Sequence, residues 1–128
     1  MREPLWLDAA EALAIHDRLL AIHGGAAGIR DEDLLASALA RPCNRHAYAP
    51  GADLPDIAAA YTAGILGNHP FIDGNKRTGF VLGVLFLELN GLRFTADEEA
   101  AAQAVLSLAA GTLTETDYAA WLRDNVGR

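Results

Sequence analysis

The sequence has one cysteine, Cys43, and a lone thiol cannot close an intramolecular disulfide. With no covalent staple available, a reducing compartment is the expected setting. Basic residues are also scarce. Ten Lys and Arg stand against seventeen Asp and Glu, for a net charge of −7. Phosphate backbones are held by clustered cations, so this balance disfavours a general nucleic-acid binder, and no direct nucleic-acid partner is expected. Long apolar runs are missing as well. The charge-free stretch from Ile57 to Ile72 contains Asn68, His69 and Pro70, and it is shorter than the roughly 20 residues a membrane span needs. The N-terminal MREPLWLDAAEA places acids where a signal peptide requires an apolar core. These absences together predict a soluble cytoplasmic protein with no membrane partner.

What is present reads as helix nearly throughout. The length fits a single domain, 1–128, and a chain of this size can bury about two-thirds of its unfolded surface. No repeat, low-complexity tract or long linker divides it. Asp8 can cap a first helix with Ala12, Ile15, Leu19 and Ile22 on one face, closed by Gly24-Gly25. Asp31 opens a second, DEDLLASALA, with Pro42 just beyond its end and the loop PCNRHAYAPGAD after it. Asp53 leads into DLPDIAAAYTAGILGN, where Ile57, Tyr61 and Ile65 recur every fourth residue. Gly64 and Gly67 weaken that helix and are read as allowing close approach of another backbone. A fourth helix, Asn75–Asn90, is apolar on every side until Glu88 and so belongs in the middle of the domain. Leu92–Thr95 is a short extended piece. Capping-box patterns at Thr95/Glu98 and Thr114/Asp117 open helices over Ala96–Ala110 and Glu115–Val126. The expected fold class is all-α, a compact bundle of about six helices around a buried central helix.

Positive charge is local rather than general: Arg41, Arg45 and His46 in one predicted loop, and Lys76 and Arg77 in NHPFIDGNKRTGF. The second pair is misplaced by the usual rule, because the N-terminal end of a helix is already positive. The first amides of that helix lack intrahelical partners and point beyond its end. Gly74 lets the preceding loop turn sharply. Those amides with Lys76 and Arg77 make a concentrated anion site, unfavourable when empty and sensible when a polyphosphate fills it. His69 lies one loop away with a near-neutral intrinsic pKa suited to a general base. Asp73 is a hard oxygen ligand for Mg²⁺ arriving with phosphates. Asn75 can bond a phosphate oxygen or orient the loop, and Phe71 and Ile72 would pin the loop to the core. Taken singly these are ordinary turn and surface residues; within nine positions, the functional reading is favoured. Other phosphate loops do not fit. A Walker loop needs Gly both six residues and one residue before its Lys, where Pro70 and Asn75 stand here.

The segment HPFIDGNKRT resembles the core motif of the Fic/Doc superfamily, His-x-Phe-x-Asp/Glu-Gly-Asn-Gly-Arg. It is still more similar to the motif of the Doc (death-on-curing) toxin branch, His-x-Phe-x-Asp/Asn-x-Asn-Lys-Arg. GIRDEDLLASALARP, AAAYTAGILGNHPF and FLELNG also look like Doc-family sequence, so the resemblance covers nearly the whole chain. It implies a Fic fold. It implies that His69 takes the proton from a target hydroxyl and that Asp73 holds Mg²⁺ bridging the phosphates of ATP. Gly74 and Asn75 would form the anion cradle, with Lys76 and Arg77 on phosphate oxygens and Phe71 structural.

Two departures from the wider Fic pattern bear on the reaction. Position 76 is Lys where adenylyl-transferring members have Gly, and position 80 is Phe where they have a second Arg. In Doc-type toxins that Lys accompanies an inverted nucleotide, so the resemblance implies transfer of the γ-phosphate, to a threonine of elongation factor Tu. AMP transfer to a protein hydroxyl is the enzymatic alternative, and a non-catalytic partner-binding Fic-fold protein the other. The self-inhibiting motif of some Fic proteins is not matched, since Thr95–Glu99 is followed by Ala100. The brake is then expected in trans, as the C-terminal segment of a cognate antitoxin, a helical segment laid in a groove. His16-Asp17 superficially resembles metal-dependent phosphohydrolases but lacks further suitably placed ligands; His16 and His23 are read as structural or surface residues. The Arg41–His46 loop is read as a docking or merely solvated segment.

Overall fold

The computed structural model describes residues 3–128, so the first two positions of the N-terminal stretch lie outside it. Six helices run in the order α1 (Ala9–His23), α2 (Glu32–Tyr48), α3 (Leu54–Asn68), α4 (Asn75–Leu89), α5 (Glu98–Ala110) and α6 (Glu115–Asp124). Two short strands, β1 (Arg93–Phe94) and β2 (Val126–Gly127), pair antiparallel with Phe94 opposite Val126. The all-α expectation holds. No helix among the described residues is long and apolar enough to cross a membrane.

Local chemistry explains most helix starts. Asp8 caps α1 and Asp53 caps α3, each in a reciprocal capping box, with Glu11 and Asp56 respectively. Thr114 accepts the Asp117 amide at the start of α6. The predicted cap at Thr95 is not used. Thr95 instead bonds the Asn125 carbonyl through both its amide and its hydroxyl, finishing the β1–β2 ribbon. Asp97 takes over as the cap of α5, accepting the Ala100 amide. The same ribbon ends α6 at Asp124, two residues before the expected Val126.

The largest correction is α2, which does not stop at Pro42 but runs on to Tyr48, making the expected Arg41–His46 loop helical. An interior proline removes one hydrogen bond, here to the Ala38 carbonyl, and normally kinks or ends a helix. Burial offsets that loss: Ala38 and Pro42 both lie in the core. The freed Ala38 carbonyl lies against Gly64 of α3, where a Cβ would come within 2.9 Å of it. Gly64 thus provides the close approach expected of it. Gly67 does not, since a Cβ there meets nothing within 4 Å. Arg45 and His46 fall in the last turn of α2, where the dipole favours cations.

The most enclosed helix is α3, not α4. Ile57, Tyr61 and Ile65 are buried as their spacing predicts, and the run Ala58–Ala60 lets neighbours close in from several sides. It packs against α2, α4, α5 and α6. The crossing with α4 is tight because Gly79 and Gly83 face it. A Cβ at Gly83 would sit 2.5 Å from the Thr62 hydroxyl, and that hydroxyl donates to the Gly79 carbonyl at 2.7 Å. Phe86 adds to this interface with its ring centroid 5.1 Å from that of Tyr61, while Phe80, Val81 and Val84 stay half-buried along the wall of a cavity. On α1 the predicted face is broken at its end: Ala12 is buried, but Ile22 is 63% exposed and His16 takes the deep position instead.

Candidate functional site

The α3–α4 crossing brings the C-terminus of one helix beside the N-terminus of the next, and the loop Pro70–Gly74 joins them. His69 closes α3 in the left-handed conformation, φ 49°, the one non-glycine residue with positive φ among those described. That conformation costs a side-chain-bearing residue about 1–2 kcal/mol, so something must hold it. Arg30 does so, its guanidinium donating to the His69 and Asn68 carbonyls, both at 2.7 Å. These charge-assisted bonds satisfy the open carbonyls of the helix end.

The loop is clamped on both sides. Its outer edge pairs with residues 28–31: Ile72 donates to the Gly28 carbonyl, and the Arg30 and Asp31 amides donate to the Pro70 carbonyl. On its inner side Phe71 is buried, stacked on the His16 ring at 3.8 Å. Ile72 does not share the pinning role expected of it; it is 57% exposed on the cavity rim. Asn75 is buried and its side chain is spent within the loop, accepting the Phe71 amide at 3.1 Å and donating to the Phe71 carbonyl at 2.9 Å. Of the two uses expected for this side chain, phosphate contact and loop orientation, the geometry realises the second.

Gly74 precedes α4 at φ 81° with no side-chain cap. The first intrahelical bond runs from the Thr78 amide to the Gly74 carbonyl, so the amides of Asn75, Lys76 and Arg77 point beyond the helix end. Lys76 and Arg77 are exposed there and take part in none of the ion pairs among the described residues. Each of these cations opposes the dipole by roughly 0.3–1 kcal/mol. The Asp73 carboxylate sits across the turn, its Oδ1 accepting the Gly74 amide at 2.8 Å and its Oδ2 the Ala26 amide at 3.2 Å.

A cavity of about 980 Å³ opens over this helix end, and His69, Asp73, Gly74, Asn75, Lys76 and Arg77 all line it. The structure therefore gathers every predicted site residue at one mouth. Its other half is mostly apolar: the half-buried strip of α4, with Phe80, Val81 and Val84, and Val105 and Leu106 of α5 line it, with Asp97 and Glu98 at the start of α5. Sequence reading missed that wall, and also His23, which lines the cavity although it lies at the far end of α1. His16, read as structural or surface, is structural; its hold on the loop, and that of Arg30, come from segments distant in sequence and were not read.

The donor set fits a magnesium ion brought by a nucleotide. Asp73 is exposed, and each of its oxygens keeps a lone pair beyond the amide it accepts. Among the described residues no three His, Cys, Asp or Glu side chains cluster, so a metal here would draw most ligands from phosphates and water, as Mg²⁺ commonly does.

Comparison with known proteins agrees with this geometry. The sequence model of the Fic/DOC family matches residues 6–87, which include α3, the loop and nearly all of α4. The protein kinase doc of Escherichia phage P1 is 31% identical over 113 residues, spanning 88% of this chain and 89% of its own. That reach extends the likeness beyond the motif to nearly the whole fold. The toxin Doc of Mycolicibacterium smegmatis is 41% identical over 78 residues, 58% of each chain. The chain belongs to the Fic/DOC family, in its Doc branch.

Proposed function

We propose that the chain is a Doc-type toxin kinase of the cytoplasm, transferring the γ-phosphate of ATP to a threonine hydroxyl of a translation factor, with elongation factor Tu as the expected target, and so stopping translation. The observation that carries this reading is the convergence of His69, Asp73, Lys76 and Arg77 on one cavity at an uncapped helix N-terminus. A base, a hard oxygen ligand and two free cations around aligned amides are the parts phosphoryl transfer requires. The likeness to a phage P1 protein kinase supports the same reaction class.

In this reading the exposed imidazole of His69 takes the proton as the target oxygen bonds to the γ-phosphorus and the bond to the leaving diphosphate breaks. The left-handed backbone at His69, held by Arg30, turns that side chain off the axis of α3 and toward the cavity. Lys76, Arg77 and the first amides of α4 hold phosphate oxygens and oppose their charge. Asp73 is the residue that would hold Mg²⁺, which neutralises phosphate charge when bound. Lys76 fills the place that a glycine would leave open for a diphosphate, which favours phosphoryl over AMP transfer.

The apolar half of the cavity supports the expected partner. Half-buried Phe80, Val81 and Val84 beside Leu106 offer a seat for the helical C-terminal segment of a cognate antitoxin, closing the site in trans.

The deciding experiment incubates the protein with elongation factor Tu and ATP labelled at either the α- or the γ-phosphate. Label is expected from the γ position only. Label from the α position alone would replace the kinase reading with AMP transfer. Equal toxicity of wild type and His69→Ala in growing cells would favour partner binding without catalysis.

A further inference from the structure

His16 is 2% exposed on α1 and lies under the loop rather than in the cavity lining. A buried imidazole needs a polar partner, since an unpaired one is costly in the interior. Its Nε2 lies 2.7 Å from the carbonyl oxygen of Asp73. A carbonyl only accepts, so Nε2 carries the proton and donates. The ring also stacks face to face on Phe71, 3.8 Å away with 8° between the planes. Directly above it is Gly74, whose Cβ position would be 3.6 Å from Nε2.

The consequence lies in the Asp73–Gly74 peptide. In a trans peptide the C=O and the following N–H point in opposite directions. With the carbonyl drawn inward by His16, the Gly74 amide faces out and binds the Asp73 carboxylate at 2.8 Å. Gly74, free of a Cβ, is where this peptide could rotate. The rotated form would aim a carbonyl dipole outward, beside the helix end that attracts anions, and would release Oδ1 of Asp73.

We propose that His16 is a positioning residue: its Nε2–H locks the Asp73–Gly74 peptide, keeping the carbonyl out of the anion site and the Asp73 carboxylate aimed into it. This rests on the phosphate-site reading above. Groups that orient a metal-binding or catalytic side chain in this way change affinity or activity by about 10–100-fold when removed.

The test compares His16→Phe, which keeps the ring stack on Phe71 and loses the donor, with His16→Gln, which restores an N–H at similar reach. Magnesium-ATP affinity is measured by calorimetry, beside the melting temperature of each variant. The expected result is a loss of at least tenfold for His16→Phe and recovery of most of it by His16→Gln, with the melting temperatures not following that order. Affinities that fall only in step with melting temperature in both variants would overturn the proposal. Long-range ¹⁵N–¹H spectra read it without nucleotide. The wild type should show the Nε2–H tautomer at His16, and His16→Phe should shift the Gly74 amide resonance. An Nδ1–H tautomer, or an unmoved Gly74 amide, would overturn it whether or not nucleotide binds. If both spectroscopic results hold but the wild type does not bind magnesium-ATP, the positioning contact stands and the kinase reading fails.

Discussion

At the scale of single residues, the clearest contrast is between two buried threonines on facing helices. The Thr62 hydroxyl donates to the Gly79 carbonyl at 2.7 Å, whereas the buried Thr78 hydroxyl has no partner among the described residues. A buried hydroxyl is worth having only when bonded. Thr62→Val should therefore destabilise by about 1–3 kcal/mol, while the near-isosteric Thr78→Val should be neutral or stabilising by up to about 1 kcal/mol. Denaturant melts of both variants check the pair, and equal losses would refute the assignment. His69→Ala belongs to the same scale. Its side chain is exposed and its backbone is held by Arg30, so the melt should barely move. Phosphoryl transfer should fall at least about a hundredfold, the usual weight of a general base. All the residues proposed to touch the phosphates, the metal or the target hydroxyl were legible in the sequence because they lie within nine positions of one another. His16 and Arg30 were not. His16 reads as structural or surface from the sequence, because the partner that holds it in the interior is a carbonyl 57 residues away.

At the scale of elements, the α3–α4 crossing sets where the loop stands, and glycine sets the crossing. Gly83→Ala should destabilise by about 1–3 kcal/mol through overpacking, because its Cβ would meet the Thr62 hydroxyl at 2.5 Å and the Ala58 carbonyl at 3.0 Å. Gly67→Ala, with nothing within 4 Å, should instead stabilise α3 by up to about 1 kcal/mol. Thermal melts of the two variants should move in opposite directions; a common sign would show that helix propensity, not the crossing, dominates. From the sequence Gly64 and Gly67 read alike, as breakers in one helical pattern, yet only a Cβ at Gly64 meets a neighbouring backbone. Helix starts were the more legible feature, since a cap and its amide lie three residues apart. Ends were less so. The α2 helix passes Pro42 because packing against Gly64 outweighs one lost bond, and no local pattern records that trade.

At the scale of the whole molecule, ion pairs tie the start of α3 to α6. Arg123 reaches both oxygens of Asp53, at 2.7 and 2.8 Å, and Asp56 at 3.1 Å. The Arg123 guanidinium bonded to Asp53 lowers its carboxyl pKa to about 2, from an ordinary value of 3.8. A carboxylate whose folded pKa is depressed adds stability above its unfolded pKa and loses it as pH falls through the folded one. The Asp53 contribution should thus be whole above about pH 4 and gone near pH 2, amounting to about 1 kcal/mol or less because the pair is half exposed. Denaturant melts at several pH values should show wild type losing its advantage over Asp53→Asn across that window, and a constant gap would refute the linkage. The single domain 1–128 is proposed on the same ground, as one core shared by all six helices, and one cooperative transition is its expected signature. By itself the sequence determined the helical class, most helix starts and the residues at the mouth of the site. Caps, periodicity and the HPFIDGNKRT motif all act within a few residues of chain. Only the tertiary structure decided that α3 rather than α4 is most enclosed, that α2 continues through its proline, that Asn75 is spent on the loop, and that His16 and Arg30 hold it from outside. Those outcomes depend on which surfaces exclude water against one another, and that is settled by packing between segments far apart in the chain.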